Sequence, residues 1–399
     1  MNITLERTPE QVELVKAMAS KNRDVAYEAQ TALAEFIGPV LAQVINTAPT
    51  VSNMFTSLQF NQEDNPSIPL DLYHDIDDED YIQVWSQTVP GGLPTNQVAP
   101  SQSELKFTTY RLDSALSFDK RYASRSRLDV VSKTFTRMAQ EILLKQEKTS
   151  AVMIMSALAN AKTNDIDHVI RSAQADRFLL ADLNRLFTNA KRINTAWNGG
   201  TPAERRGRGI TDLLVSPEIV EEIRGLAYNP INTVSNVTHS DGAGGVVKGG
   251  GDIAGTDSMR DAIFNSAGIP EFYGVSIQEY NEMGIGQKWN SVFSTAATGK
   301  FYADHYSVEG TEGTNIGTGD DGDPEKFGFL SSAEQILVGV DLSRESMIRA
   351  VATDSESGDE FSLVSDDQFV TRQSKIGYYG SLEEGRMIID DRVLLGLIV

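Results

Sequence analysis

Apolar residues at Val12, Val15, Met18 and Val25 recur near helical spacing, with Thr8 placed to cap and Pro9 at the first helical position. The spacing predicts a helix from Pro9 to Ile45, bent or broken where Gly38 and Pro39 fall. From Thr47 to Asp80 the periodicity fades, and the stretch ends in the acidic run Asp71 to Asp80. A segment of this kind cannot bury enough apolar area alone, so it predicts an extended arm. From Tyr81 the pattern turns to strand: Ile82, Val84 and Trp85 lead through Thr88 and Val89 into a Pro-, Gly- and Ser-rich stretch, Pro90 to Glu104. Alternation resumes at Leu105, Phe107 and Thr109 and continues with Leu112, Leu116 and Phe118. That predicts a long β-hairpin whose large tip needs outside support.

The most regular pattern follows. Ser126 and Asp129 form a capping signal, and Val131, Phe135, Met138 and Ile142 recur at helical intervals, continuing to Ala159. At about 1.5 Å per residue such a helix runs about 50 Å. Arg137, Gln140, Lys145 and Lys148 mark its polar side, so the other side is expected to lie along a sheet. A second amphipathic helix is predicted over Asp176–Trp197, and a strand over Asp212–Val215 leads into a helix capped by Ser216 and opened by Pro217. Asp241–Gly255 and Gly310–Asp323 have loop composition. Strands are predicted at Tyr273–Ile277, Gln335–Val340 and Ser346–Ala352, the last two closing an α/β region. The chain ends in strands at Lys375–Tyr379 and Met387–Val399, with a turn through Gly380–Gly385 between them. Its last residues, LLGLIV, must be buried, with the long helix as the natural partner.

Composition narrows the function. The 399-residue chain has no cysteine, which excludes disulfide scaffolds, zinc fingers, iron–sulfur clusters and a cysteine nucleophile. With 35 Lys+Arg against 56 Asp+Glu the net charge is −21, which argues against a duplex-binding surface. The polar N-terminus lacks a signal peptide's apolar core, and Phe36–Ile45 is too short and too interrupted to span a bilayer, so a soluble cytoplasmic chain without membrane contact is expected.

Chemistry is hard to place. His74, His168, His239 and His305 show no ligand spacing; the acidic run around His74 reads as a solvated segment, and Asp320, Asp321 and Asp323 miss the calcium-loop spacing. The Gly249–Gly251 run opens no helix, no nucleophile elbow occurs, and Ser216 is explained by capping. No catalytic residue, metal or cofactor is nominated. Basic residues cluster at Lys120, Arg121, Arg125 and Arg127, and again at Arg205, Arg206 and Arg208. In so acidic a chain such patches are expected to meet acidic surface on a neighbouring subunit.

An arm that cannot fold alone, an unsupported hairpin, a very long helix and an inserted α/β region are the parts of an obligate assembly. In this order they resemble the major capsid proteins of tailed bacteriophages, the Hong Kong 97-type fold. The stretch Tyr81–Phe118 looks like that family's extended loop, Ser126–Ala161 like its spine helix, Asp212–Leu226 like a strand and helix of its axial domain, and Ser374–Val399 like its peripheral strands. The resemblance implies an α+β chain: N-terminal helix and arm (1–80), extended β-hairpin (81–122), peripheral domain with spine helix (123–170), axial domain (171–360) and returning strands (361–399). It implies pentamers and hexamers closing into an icosahedral shell around double-stranded DNA, located in the virion and made in the host cytoplasm, with scaffolding, portal and decoration proteins as further partners. Lys120, Arg121, Arg125 and Arg127, together with Trp85 and Lys106 in the hairpin, are the expected contacts between subunits. Lys106 is also where a family-type isopeptide to Asn would be sought, although no Asn or Glu partner is assigned. The alternatives are an encapsulin-type compartment and, from another class, a soluble α/β enzyme.

Overall fold

The computed structural model describes residues 8–48, 50–61, 66–69, 104–163, 166–172, 177–193, 209–228, 238–240, 246–248, 271–272, 274–300, 302–303, 326–343, 346–353, 360–366 and 374–399. In chain order they form α1 (Pro9–Met18), α2 (Arg23–Thr47), β1 (Thr56–Asn61), β2 (Ser67–Pro69), β3 (Glu104–Lys106), β4 (Tyr110–Asp119), α3 (Lys120–Ser124) and α4 (Leu128–Asn160). Next come β5 (Lys162–Thr163), β6 (Ile166–Asp167), β7 (Val169–Arg171), α5 (Leu180–Ile193), β8 (Asp212–Val215), α6 (Pro217–Tyr228), β9 (Thr238–Ser240), β10 (Val246–Lys248), β11 (Glu271–Phe272) and β12 (Val275–Glu279). The remainder is α7 (Lys288–Ala296), β13 (Tyr302–Ala303), β14 (Lys326–Phe327), β15 (Ile336–Val340), β16 (Met347–Thr353), β17 (Ser362–Asp366), β18 (Lys375–Ile388) and β19 (Leu394–Ile398). The class is α+β, as expected. Two compact units are interleaved along the sequence: the first takes Met1–Leu72, Pro100–Ala151 and Met347–Ile389, the second Tyr73–Ala99, Val152–Ser346 and Asp390–Val399.

The first unit is built on a sheet ordered β1-β16-β18-β17, with β4 also pairing along β18. β1 and β16 run parallel, and the other neighbours are antiparallel. The apolar stripe of α4 does what its spacing predicts. Val131, Phe135, Met138 and Ile142 are buried with Phe118, Ile376 and Tyr378 of the sheet and with Val15, Met18, Leu33, Ile37 and Leu41 of the two N-terminal helices. Lys133, Arg137, Gln140, Lys145 and Lys148 face solvent.

Several expectations change here. The N-terminal helix is two helices, because Ala19 and Ser20 turn back onto the carbonyls of Lys16 and Ala17 and the Asn22 side chain then caps α2. Thr8 caps α1 as predicted, but Pro39 does not end α2. Pro39 and Glu35, whose carbonyl Pro39 cannot bond, are both exposed, so water can take the orphaned acceptor. Ser126 caps nothing: it sits at φ 54°, and the carbonyl of Arg127 receives the first amides of α4. The turn predicted at Gly380–Gly385 is absent, since β18 runs unbroken for 14 residues and both glycines lie within it. The outgoing strand of the predicted hairpin, with Trp85, lies outside the described residues. On its return side, β3 pairs antiparallel with β2 of the arm, Ser67 opposite Lys106.

The second unit holds a six-stranded mixed sheet ordered β11-β12-β8-β15-β19-β7. Leu183, Leu186, Ala190 and Ile193 of α5, with Ile219, Val220 and Ile223 of α6, are buried against Leu213, Val215, Leu337, Leu395 and Leu397. Ser216 accepts the amide of Ile219, as the capping pattern predicts, and also bonds Gln335 at 2.6 Å. β19, the apolar chain end, is buried throughout between β15 and β7, and Leu158 from the last turns of α4 approaches Gly396. The strand predicted at Ser346–Ala352 belongs instead to the first unit's sheet, as β16. Hydrophobic alternation is identical for either sheet, and only pairing register separates them. Within the predicted loop Asp241–Gly255, Val246–Lys248 pair with Thr238–Ser240.

Candidate functional site

In the first unit the sheet register assembles a buried ionic network. Glu384 lies opposite Tyr110 of β4, and Arg386 lies opposite Arg349 of β16. Residues two apart on a strand share a face, so Glu384 and Arg386 point the same way. Two guanidiniums across a ladder repel unless a carboxylate lies between them. Glu384 supplies it at 0% exposure: Arg349 Nε donates at 2.9 Å, Arg386 pairs at 2.9 Å, the Tyr110 hydroxyl donates at 2.7 Å, and Gln146 of α4 donates at 2.9 Å. The network continues outward, because Arg349 donates to Asn46 of α2 at 3.0 Å and Asn46 donates to Glu360 at 2.7 Å. Arg386 also stacks over the Phe55 ring at 5.9 Å. Burial, and then the Glu384 carboxylate, raise the Tyr110 phenol above its ordinary range; burial lowers Arg386 against the pull of Glu384. One carboxylate thus joins the arm helix, the long helix, β4 and the central strands. Sequence reasoning missed it, although the alternation Glu384-Gly385-Arg386 was a usable signal of two charges on one strand face.

The second unit has a different buried polar centre. His168 is 0% exposed; its Nδ1 lies 3.2 Å and 3.1 Å from the carbonyls of Asp391 and Leu394, and its Nε2 lies 2.9 Å from the Thr163 hydroxyl. Two carbonyls facing one ring nitrogen require a proton there, so the neutral tautomer carries it on Nδ1 and Nε2 accepts from Thr163. The role is to clamp the turn into β19. Burial holds the imidazole below its ordinary 6.5, against the raising pull of Asp391, the two carbonyls and Asp390. The unfolded chain therefore binds the proton more readily, and this contribution to stability is complete above about pH 6.5 and lost as pH falls below it. Thermal unfolding scanned from about pH 8 to about pH 5 should show a steeper acid decline in the natural protein than in His168→Asn. Parallel curves would contradict the clamp.

The predicted contact residues converge only in part. Lys120, Arg121, Arg125 and Arg127 occupy one corner, where β4 ends, α3 makes a short helix and α4 begins. Asp119 caps α3, and Arg121 doubles back on it, its Nε donating at 3.1 Å. The hydrogen bond donated by the Arg121 backbone N–H, before all other causes, lowers the Asp119 carboxyl. Ala123 and Phe118 anchor the corner in the core, while Arg125 and Arg127 are exposed, as is Tyr122 at 46%. The left-handed backbone of Ser126 separates the two arginines. Lys106 is exposed on the separate ribbon β2–β3, and Trp85 lies outside the described residues, as do Arg205, Arg206 and Arg208.

Among the described residues no group of His, Asp and Glu could hold a metal ion, and no helix is long and apolar enough to cross a membrane. The acidic runs at 71–80 and 320–323 and the Gly249–Gly251 run lie outside them.

No protein-family model matches the chain, and no curated protein matches it by sequence. Among solved structures it is similar to the capsid of the cyanophage P-SCSP1u at 12% identity and a TM-score of 0.44, with 86% of each chain covered. It is also similar to the capsid of the native GTA particle at 9% identity and a TM-score of 0.46, covering 88% of this chain and 91% of that one. The SrpI encapsulin of Synechococcus elongatus PCC 7942 is similar at 11% identity and a TM-score of 0.37, covering 74% and 75%. With identities and TM-scores this low, the functional reading rests on the chain's own elements.

Proposed function

We propose that the chain is a structural major capsid protein of the Hong Kong 97 type, assembling as pentamers and hexamers into an icosahedral shell that encloses double-stranded DNA in a virion. The observation that carries this reading is the order of parts: paired N-terminal helices and an arm, a returning ribbon, a 33-residue helix, an inserted sheet-and-helix unit, the long strand β18 that goes back to the first sheet, and the terminal strand β19 in the second. Exposed apolar side chains support it. Phe36 on α2 and Leu144 on α4 are each 57% exposed, and Val25 and Val40 share the outer face of α2 with Phe36, surface that burial between subunits would remove from water. The net charge of −21 suits a container for DNA, which must enclose phosphate without adhering to it. In this reading the role is structural, Lys120, Arg121, Arg125, Arg127, Trp85 and Lys106 meet neighbouring subunits, and scaffolding, portal and decoration proteins join the assembly in the host cytoplasm.

Negative-stain microscopy with mass measurement in solution tests it. Closed particles of uniform size are expected from the purified protein under assembly conditions. A stable monomer under all of them, binding a small molecule in a defined stoichiometry, would return the chain to the enzyme class.

A further inference from the structure

We infer that the corner formed by Lys120, Arg121, Arg125 and Arg127 is a docking surface for the acidic segment Asp71–Asp80 of a second copy of this chain. The inference rests on the shell reading and names the partner of that surface. The corner carries four cations within eight residues, against Asp119 before it and Asp129 after it. Asp119 is already engaged by Arg121, which fixes one edge of the surface. The guanidiniums of Arg125 and Arg127 make no ion pair with any described residue, although both side chains stand on a backbone locked by buried Ala123 and Leu128. A backbone fixed in advance lowers the ordering cost of presenting the Arg125 and Arg127 guanidiniums, which favours a partner that brings the opposite charge.

The densest acidic segment of the chain has the matching chemistry. Asp71, Asp75, Asp77, Asp78, Glu79 and Asp80 place six carboxylates in ten residues with no Lys or Arg among them. Such a run repels itself in isolation and gains most from a surface of several cations. Exposed Tyr122 beside the arginines offers an apolar platform for Leu72, Tyr73 or Ile76 of the same segment. The contact is expected to be sensitive to salt, since exposed charges are screened over about 8–10 Å at ordinary ionic strength.

Two reciprocal variants test the inference: Arg125→Glu with Arg127→Glu, and Asp77→Lys with Asp78→Lys and Asp80→Lys. Each alone should lower particle yield about ten-fold or more, because like charges then face each other at every such contact. Mixing the two soluble variants should restore particles, since each surface now meets an opposite segment on the other variant. Arg125→Gln with Arg127→Gln should assemble with a flatter salt dependence than the natural chain. Failure of the mixture to assemble, while a single chain carrying both reversals does assemble, places the contact within one subunit and overturns the inference. Failure of both, with normal shells from the natural chain, also overturns it and leaves the shell reading standing. Absence of shells from the natural chain strikes the shell reading itself.

Discussion

Glu384→Gln should destabilise the first unit by about 3–5 kcal/mol, the usual cost of removing one partner from a buried ion pair. The substitution keeps the shape and removes the charge. Five donor groups converge on the carboxylate: the Tyr110 hydroxyl, the Gln146 amide, Arg349 Nε, and Nη1 and Nη2 of Arg386. An amide offers one acceptor oxygen to them and turns two N–H groups toward a set of donors of which only the Tyr110 hydroxyl can accept. Arg349 and Arg386 are then left facing each other across the ladder. Equilibrium unfolding in urea should show a lower midpoint with an unchanged slope, and limited proteolysis should cut first near Asn46, where the network reaches α2. Replacing the whole network, as Glu384→Leu with Arg349→Met and Arg386→Met, should recover much of the loss, because apolar packing can equal a buried ion pair once no charge is left stranded. A midpoint for Glu384→Gln equal to that of the natural protein would contradict the view that this carboxylate holds the unit together.

Legibility in the sequence followed the range of the interaction involved. Elements set by local chemistry were readable: the Thr8 and Ser216 caps, the strand Asp212–Val215 and the face of α4 all depend on residues within a turn or two of each other. Elements set by distant pairing were not. β16 alternates correctly for either sheet, and only its partners β1 and β18 decide which. The ionic network joins residues 46, 110, 146, 349, 384 and 386, so its existence depends on register that no local pattern encodes. The basic corner was legible because its cations are adjacent in sequence, whereas Lys106 was grouped with it by hairpin logic and stands on a different ribbon. Ser126 shows the limit of motif spacing: the S-x-x-D pattern is present, but a left-handed residue at that position moves the side chain off the helix start.

Gly380 and Gly385 carry the second large prediction. Sequence composition makes them turn residues, tolerated for their freedom of backbone; neither has a positive φ, and both lie within a continuous strand. Their common property is lack of space. A Cβ on Gly380 would fall on the Met138 methyl and within 2.5 Å of the Phe361 ring, and one on Gly385 would lie 2.9 Å from the Thr108 carbonyl oxygen. Alanine at either position should cost about 1–3 kcal/mol by overpacking. The two should differ in how they are rescued. At Gly380 the obstructing atoms belong to side chains, so Phe361→Leu should give back part of the loss in the double variant, a coupling that a mutant cycle measures directly. At Gly385 the obstruction is backbone of the segment leading into β4, so no side-chain trimming relieves it. The displaced strand should also lengthen the Tyr110–Glu384 hydrogen bond, making Gly385→Ala and Glu384→Gln less than additive. If the glycines served as a turn, both alanine variants would instead lose stability without any coupling to Phe361 or Glu384, and the continuous strand β18, on which the first unit is built, would be wrong.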